Sequence, residues 1–124
     1  MLGNARVMAF IATAQPEAAL AFYRDTLGLE LIEDGQWALV FRTDDRYLRV
    51  QKGGSVAASP ATVLGWDVDD LDGAMADLAA GGVSFERFDW PGQDDAGVFT
   101  FPTGDRVAWF KDPDGNLLSL TQFT

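Results

Sequence analysis

Apolar positions along this chain follow two rhythms, a period near two and a period near three and a half, and they take turns. "ARVMAFIA" (5–12) reads as a strand. "TAQPEAALAFYRDTLGLEL" then places Ala19, Phe22, Tyr23 and Leu27 on one face of a helix. Pro16 suits the first helical turn, where its missing N–H costs nothing, Gln15 or Thr13 stands at the cap, and Gly28 provides the stop. "LELIE", "WALVFR" and "RYLRVQK" follow as strands, separated by turns at Asp34-Gly35 and Thr43-Asp44-Asp45. "GGSVAASPA" (53–61) has no apolar period and reads as a linker. The rhythm then resumes. "TVLGWDV" is a strand, and Asp69 or Asp70 caps a helix whose Leu71, Ala74, Met75 and Leu78 fall at i, i+3, i+4 and i+7. Gly81-Gly82 ends that helix, and "VSFERFDW", "RVAWFK" and "NLLSLTQF" are expected as strands.

The order strand, helix, strand, strand, strand therefore occurs twice. Gln15 and Asp69 precede the two helices, Gly28 and Gly82 end them, and each pair is 54 residues apart. A module of about 50 residues buries too little surface to stand alone, so the copies are expected to share one domain over 1–124: module one at 5–52, a linker at 53–61 and module two at 62–124. One segment breaks the symmetry. "DWPGQDDAGVFTFPTGD" (89–105) is long for a connection and carries Trp90, Phe99 and Phe101, so it is either a lid or a short strand packed over the core.

Composition narrows the chemistry. The 124 residues include no cysteine and no histidine, which removes disulfides, thiolate metal sites, imidazole ligands and imidazole bases together. Nine basic and 19 acidic residues give a formal charge of −10. Such a surface repels nucleic acid and anionic membranes and suits a cationic or aromatic guest, although solubility alone accounts for it. "MLGNARVMAF" carries no signal-like pattern and no long apolar run follows, so a soluble cytoplasmic protein is expected.

"FYRDTLGLEL", "WDVDDLDGAMADLAAGGVSF" and the closing "WFKDPDGNLLSL", in that order within an internal repeat, resemble the vicinal oxygen chelate superfamily, the glyoxalase, bleomycin-resistance and extradiol-dioxygenase group. The resemblance covers nearly the whole chain. It implies an α+β fold of two βαβββ modules, whose mixed sheets curl into a cup with the helices outside. Active members usually hold a divalent metal in the cup through His, Glu or Gln side chains from four strands. The resemblance puts Met8, Val63 and Ser119 at three of those positions, and Arg49 or Gln51 at the fourth. A thioether, an isopropyl group, a hydroxyl and a guanidinium do not make that site, so no metal and no cofactor are expected.

Alternation supplies the rest of the lining. Met8, Phe10 and Ala12 share one face, as do Val63, Gly65 and Asp67, and Leu117, Ser119 and Thr121. Val7, Ala9, Ile11, Leu64, Trp66, Val68, Leu118 and Leu120 are expected under the helices. Trp109 is expected in the cup and Phe110 in the core, and Arg49 and Asp67 need a partner, which each can be for the other. The candidate ligand-binding set is Met8, Phe10, Arg49, Gln51, Val63, Asp67, Trp109 and Ser119. Two functions remain open: a metal-free homodimer that binds a small molecule without changing it, and a glyoxalase- or dioxygenase-type enzyme with a non-standard site, whose proton-transfer groups would be Asp67, Tyr47, Tyr23 or a Glu. The "DPDG" turn at 112–115 is read as structural only.

Overall fold

A computed structural model describes residues 1–124 and divides into two compact units, Met1–Ala57 and Ala58–Thr124. The first contains β1 (Ala9–Thr13), α1 (Pro16–Leu20), β2 (Glu30–Asp34), β3 (Ala38–Thr43) and β4 (Arg46–Lys52). Its sheet runs β1-β4-β3-β2, with β1 parallel to β4 and the other pairs antiparallel. The second contains β5 (Leu64–Asp67), α2 (Leu71–Ala80), β6 (Phe99–Thr100), β7 (Arg106–Lys111) and β8 (Leu117–Gln122). Its sheet repeats the arrangement as β5-β8-β7-β6, with β5 parallel to β8. The protein is thus α+β, built from two βαβββ-like modules with one mixed four-stranded sheet each.

The helix ends follow local chemistry. Gln15 is the cap residue of α1 but its side chain caps nothing; the buried Thr13 Oγ1 instead accepts the Gln15 N–H at 2.9 Å. Asp70 caps α2, its Oδ1 accepting the Gly73 N–H at 3.0 Å. Leu71 N–H, a first-turn donor without a helical acceptor, donates to Gln122 Oε1 of β8 at 2.8 Å. Arg106 of β7 ties to Asp72 of α2 and holds that carboxyl below its usual range. Gly28 and Gly82 take φ of 76° and 96°, the left-handed stop expected of both. The first helix is not uniform. After Leu20 its hydrogen bonds widen, Leu27 N–H reaches the Phe22 carbonyl at 2.9 Å, and Ala21–Thr26 is π-helical. No residue pattern announces that change. Ala19 and Tyr23 are nevertheless fully buried, and the Tyr23 ring lies 5.8 Å from Phe41.

Pleating divides each sheet into two faces. Ile11, Phe41, Leu48 and Val50 are buried on the face that meets Tyr23, and Ala108, Phe110, Leu118 and Leu120 are buried on the corresponding face of the second unit with Leu71 and Met75. Ala9, Leu64, Trp66 and Val68 are half-buried there. Val7 departs from expectation. It is 78% exposed, because pairing begins only at Ala9.

"VSFERFDW" departs further. Only Phe85 bridges to β7, at Phe110, with Glu86 N–H donating to the Trp109 carbonyl at 2.8 Å. The outer place in the sheet passes to β6, which pairs with β7 at Phe99–Val107 and Thr100–Arg106. One side chain accounts for the switch. Gln93 Oε1 accepts the Phe88 N–H at 2.8 Å, and Gln93 Nε2 donates to the Glu86 and Gly97 carbonyls at 3.0 and 2.9 Å. Those backbone groups are therefore satisfied without a ladder.

The "DPDG" turn is structural, as its residues suggest. Gly115 takes φ of 84°, and the buried Asp112 carboxylate accepts from Asp114 N–H, Asn116 N–H and Asn116 Nδ2, each at 2.9 Å. Replacing Asp112 by Ala strands those donors and is expected to cost about 2–4 kcal/mol in urea unfolding, with Asp112→Asn intermediate. A loss below about 0.5 kcal/mol would show that the turn holds itself.

Candidate functional site

Each sheet has a second face, turned away from its helix, and strand register fixes what stands there. In the first unit Phe10 of β1 pairs with Arg49 of β4, which pairs with Val40 of β3. The next row on that face is Ala12, Gln51 and Ala38. In the second unit Gly65 of β5 pairs with Ser119 of β8, which pairs with Trp109 of β7. The strands correspond through the internal repeat: β1, β4 and β3 stand in the first sheet as β5, β8 and β7 stand in the second. Met8 and Val63 each lie two residues before the β1 and β5 members of those rows. Arg49 and Gln51 both stand on this face of β4, in adjacent rows.

The chemistry of these faces is mostly apolar. Met8 and Phe10 are 48% and 51% exposed, and Tyr47 and Val63 are exposed as well. Ser119 is only 8% exposed. It occupies the space that Gly65 leaves: a Cβ at residue 65 would stand 2.5 Å from Ser119 Oγ. Arg49 is half-buried, Asp67 and Gln51 are exposed, and no ion pair involves Arg49 or Asp67.

Trp109 has a different setting. It is on the face away from α2, as its parity requires, while Phe110 is fully buried on the other face. Trp109 is itself 8% exposed, because it packs with Val107 and Leu117 under Phe88 and Phe99. The Trp90 ring stands edge-on to it at 5.3 Å, Phe88 at 5.6 Å, and the indole N–H donates to Thr62 Oγ1 at 3.1 Å. Trp90 stacks on Phe88 at 4.6 Å, and Phe99 meets Phe101 at 4.8 Å. Segment 89–105 therefore contributes both a short strand and an aromatic cover. A cleft of about 330 Å³ opens beside this cluster, lined by Pro60, Phe88, Lys111 and Leu117 among others. Gln93, which braces the cover, is not foreshadowed in the sequence; a lone Gln among Gly and Asp reads as a solvated loop residue.

No group of three or more Asp or Glu side chains is gathered so as to hold a metal ion, and no helix is long and apolar enough to cross a membrane. A family model described as the Glyoxalase/Bleomycin resistance protein/Dioxygenase superfamily matches residues 5–120. The chain belongs to this superfamily. Among solved structures it is similar to a glyoxalase family protein from Enterococcus faecalis, at 20% identity and a TM-score of 0.77, covering 98% of this chain and 99% of that one. It is similar to a glyoxalase/bleomycin resistance protein/dioxygenase superfamily member from Sphaerobacter thermophilus, at 27% identity and a TM-score of 0.74 with the same coverage. A lactoylglutathione lyase from Agrobacterium tumefaciens matches at 19% identity and a TM-score of 0.75, over 95% of this chain and 93% of that one. No relative among the curated proteins matches. The glyoxalase-type fold thus comes with divergent sequences, and its chemistry in this member has to be read from its own faces.

If Gln93 braces the aromatic cover, Gln93→Ala should lower stability by about 1–3 kcal/mol. It should also speed amide hydrogen exchange across residues 86–98, while β7 and β8 amides keep their protection. Unchanged exchange in that segment would assign the bracing to the rings alone.

Proposed function

We propose that this superfamily member binds a small organic molecule, apolar or aromatic in its body, on the sheet faces turned away from the helices, and that it does so without a metal. The reading is carried by the side chains at the four positions that the family resemblance assigns. Arg49 stands on the first sheet and Ser119 on the second, while Met8 and Val63 lie just before β1 and β5. A relative that chelates a divalent cation needs imidazole nitrogen or carboxylate oxygen at such places. Here the donors are a thioether, an alkyl group and a lone hydroxyl, and the fourth residue is a permanent cation that repels the ion. The residues do not fit the metal. What remains is an apolar surface with a few polar groups, the usual make-up of a small-molecule site.

The exposed Ile32 and Trp37 of the first unit support a second element of the reading. Large exposed apolar side chains are commonly covered by a partner, and a second copy of the chain is the partner we propose.

Three measurements on the purified protein test this. Elemental analysis is expected to find no stoichiometric Ni, Zn, Mn or Fe, and Ser119→Glu alone is expected to leave that result unchanged. Light scattering is expected to give a homodimer. A thermal-shift screen of small aromatic and apolar metabolites is expected to raise the melting temperature for at least one chemical class, through preferential binding to the folded state. A metal bound at one per chain, together with turnover of a glutathione hemithioacetal, would replace this reading with an enzymatic one.

A further inference from the structure

Arg49 breaks a regularity of the molecule. Of nine basic side chains, seven form ion pairs with carboxylates: Arg24, Arg42, Arg46, Lys52, Arg87, Arg106 and Lys111. The other two are Arg6, exposed in the N-terminal segment, and Arg49, half-buried in the middle of a sheet. Acids are in twofold excess, so Arg49 does not lack a partner through scarcity. Neither of its neighbours across the strands is an acid. Phe10 and Val40 flank it in register, and the acid in the same row, Glu33, lies beyond Val40 on β2. Neighbouring strands are about 4.8 Å apart, which leaves Glu33 roughly 10 Å away across the sheet. No ring stacks on the guanidinium either. A half-buried guanidinium whose five donors meet no side-chain acceptor within its own unit is available to an incoming anion.

We infer that Arg49 is the recognition residue for a carboxylate on the bound molecule, and that the guest of this site is a singly charged organic acid with an aromatic or apolar body. This rests on the binding function proposed above and specifies its ligand class. The guanidinium fork accepts a carboxylate through two parallel N–H···O bonds, while Phe10, Met8 and Tyr47 offer apolar surface on the same face for the rest of the molecule. The net charge of −10 suggests a cationic guest at first sight. Distance reverses that suggestion. Surface charges beyond about 8–10 Å are largely screened at physiological ionic strength, whereas a partly buried charge in direct contact is not. The bulk charge acts instead as a filter on valence: it opposes di- and trianions such as phosphate esters more than a monoanion.

Matched probes separate the alternatives. Benzoate, 1-naphthoate and indole-3-acetate are titrated by calorimetry against the full-length protein, beside the corresponding neutral amides and cationic amines. The best carboxylate is expected to bind at least about tenfold tighter than its amide, the size of one charge-assisted contact. Arg49→Met, which keeps an unbranched apolar stem, is expected to erase that ratio, and the wild-type Arg49 Nε–H resonance is expected to shift on adding the carboxylate. Equal binding of acid, amide and amine, or an unchanged ratio in Arg49→Met, would overturn the carboxylate assignment and leave the binding function standing. Failure of all three sets to bind, with no shift of the Arg49 resonance, would overturn both.

Discussion

Pleating of eight short strands is the constraint on which everything else here depends. Once a helix covers one face of a sheet, period-two alternation commits every second residue to that helix and every other residue to the opposite face. In the first unit the commitment is visible at Leu48 and Val50, buried, and at Tyr47, Arg49 and Gln51, which are not. In the second it separates Phe110 from Trp109, neighbours in sequence with opposite fates. A one-residue slip of β4 would bury a guanidinium beneath Tyr23 and expose two aliphatic side chains. That penalty locks the register, and the register in turn fixes Arg49 between Phe10 and Val40.

The two units use their free faces differently. In the second, the chain after α2 folds back over its own sheet, and Phe88, Trp90 and Phe99 cover Val107, Trp109 and Leu117. Aromatic pairs of this kind add about 0.5–1.5 kcal/mol each beyond the area they bury, so the cover is a cohesive element. Gln93 makes it possible by occupying backbone groups of Glu86, Phe88 and Gly97 that would otherwise demand a strand partner. The first unit has no such segment; β2 and β3 are joined by a tight turn, and Phe10 and Met8 stay exposed. Duplication supplied the frame, and the insertion at 89–105 made the halves unequal.

How much of this was legible in the sequence divides along the same physical line. Elements carried by periodicity and by glycine stops were readable: both helices, the strands ending in Lys52, Lys111 and Gln122, and the left-handed conformations at Gly28 and Gly82. The faces were readable too, because alternation is a local property. The π-helical turn after Leu20 was not, since widening the hydrogen-bond ring needs no particular residue. "VSFERFDW" has the apolar alternation of a strand but forms a single bridge, because the side chain of Gln93 competes for its backbone and no sequence rule assigns a side chain that acceptor role in advance. Val7 lay beyond the reach of the pairing partner. At the candidate site, residue identities were readable, but the separation of Arg49 from the acids of its own unit was not, because it depends on which strands lie beside β4.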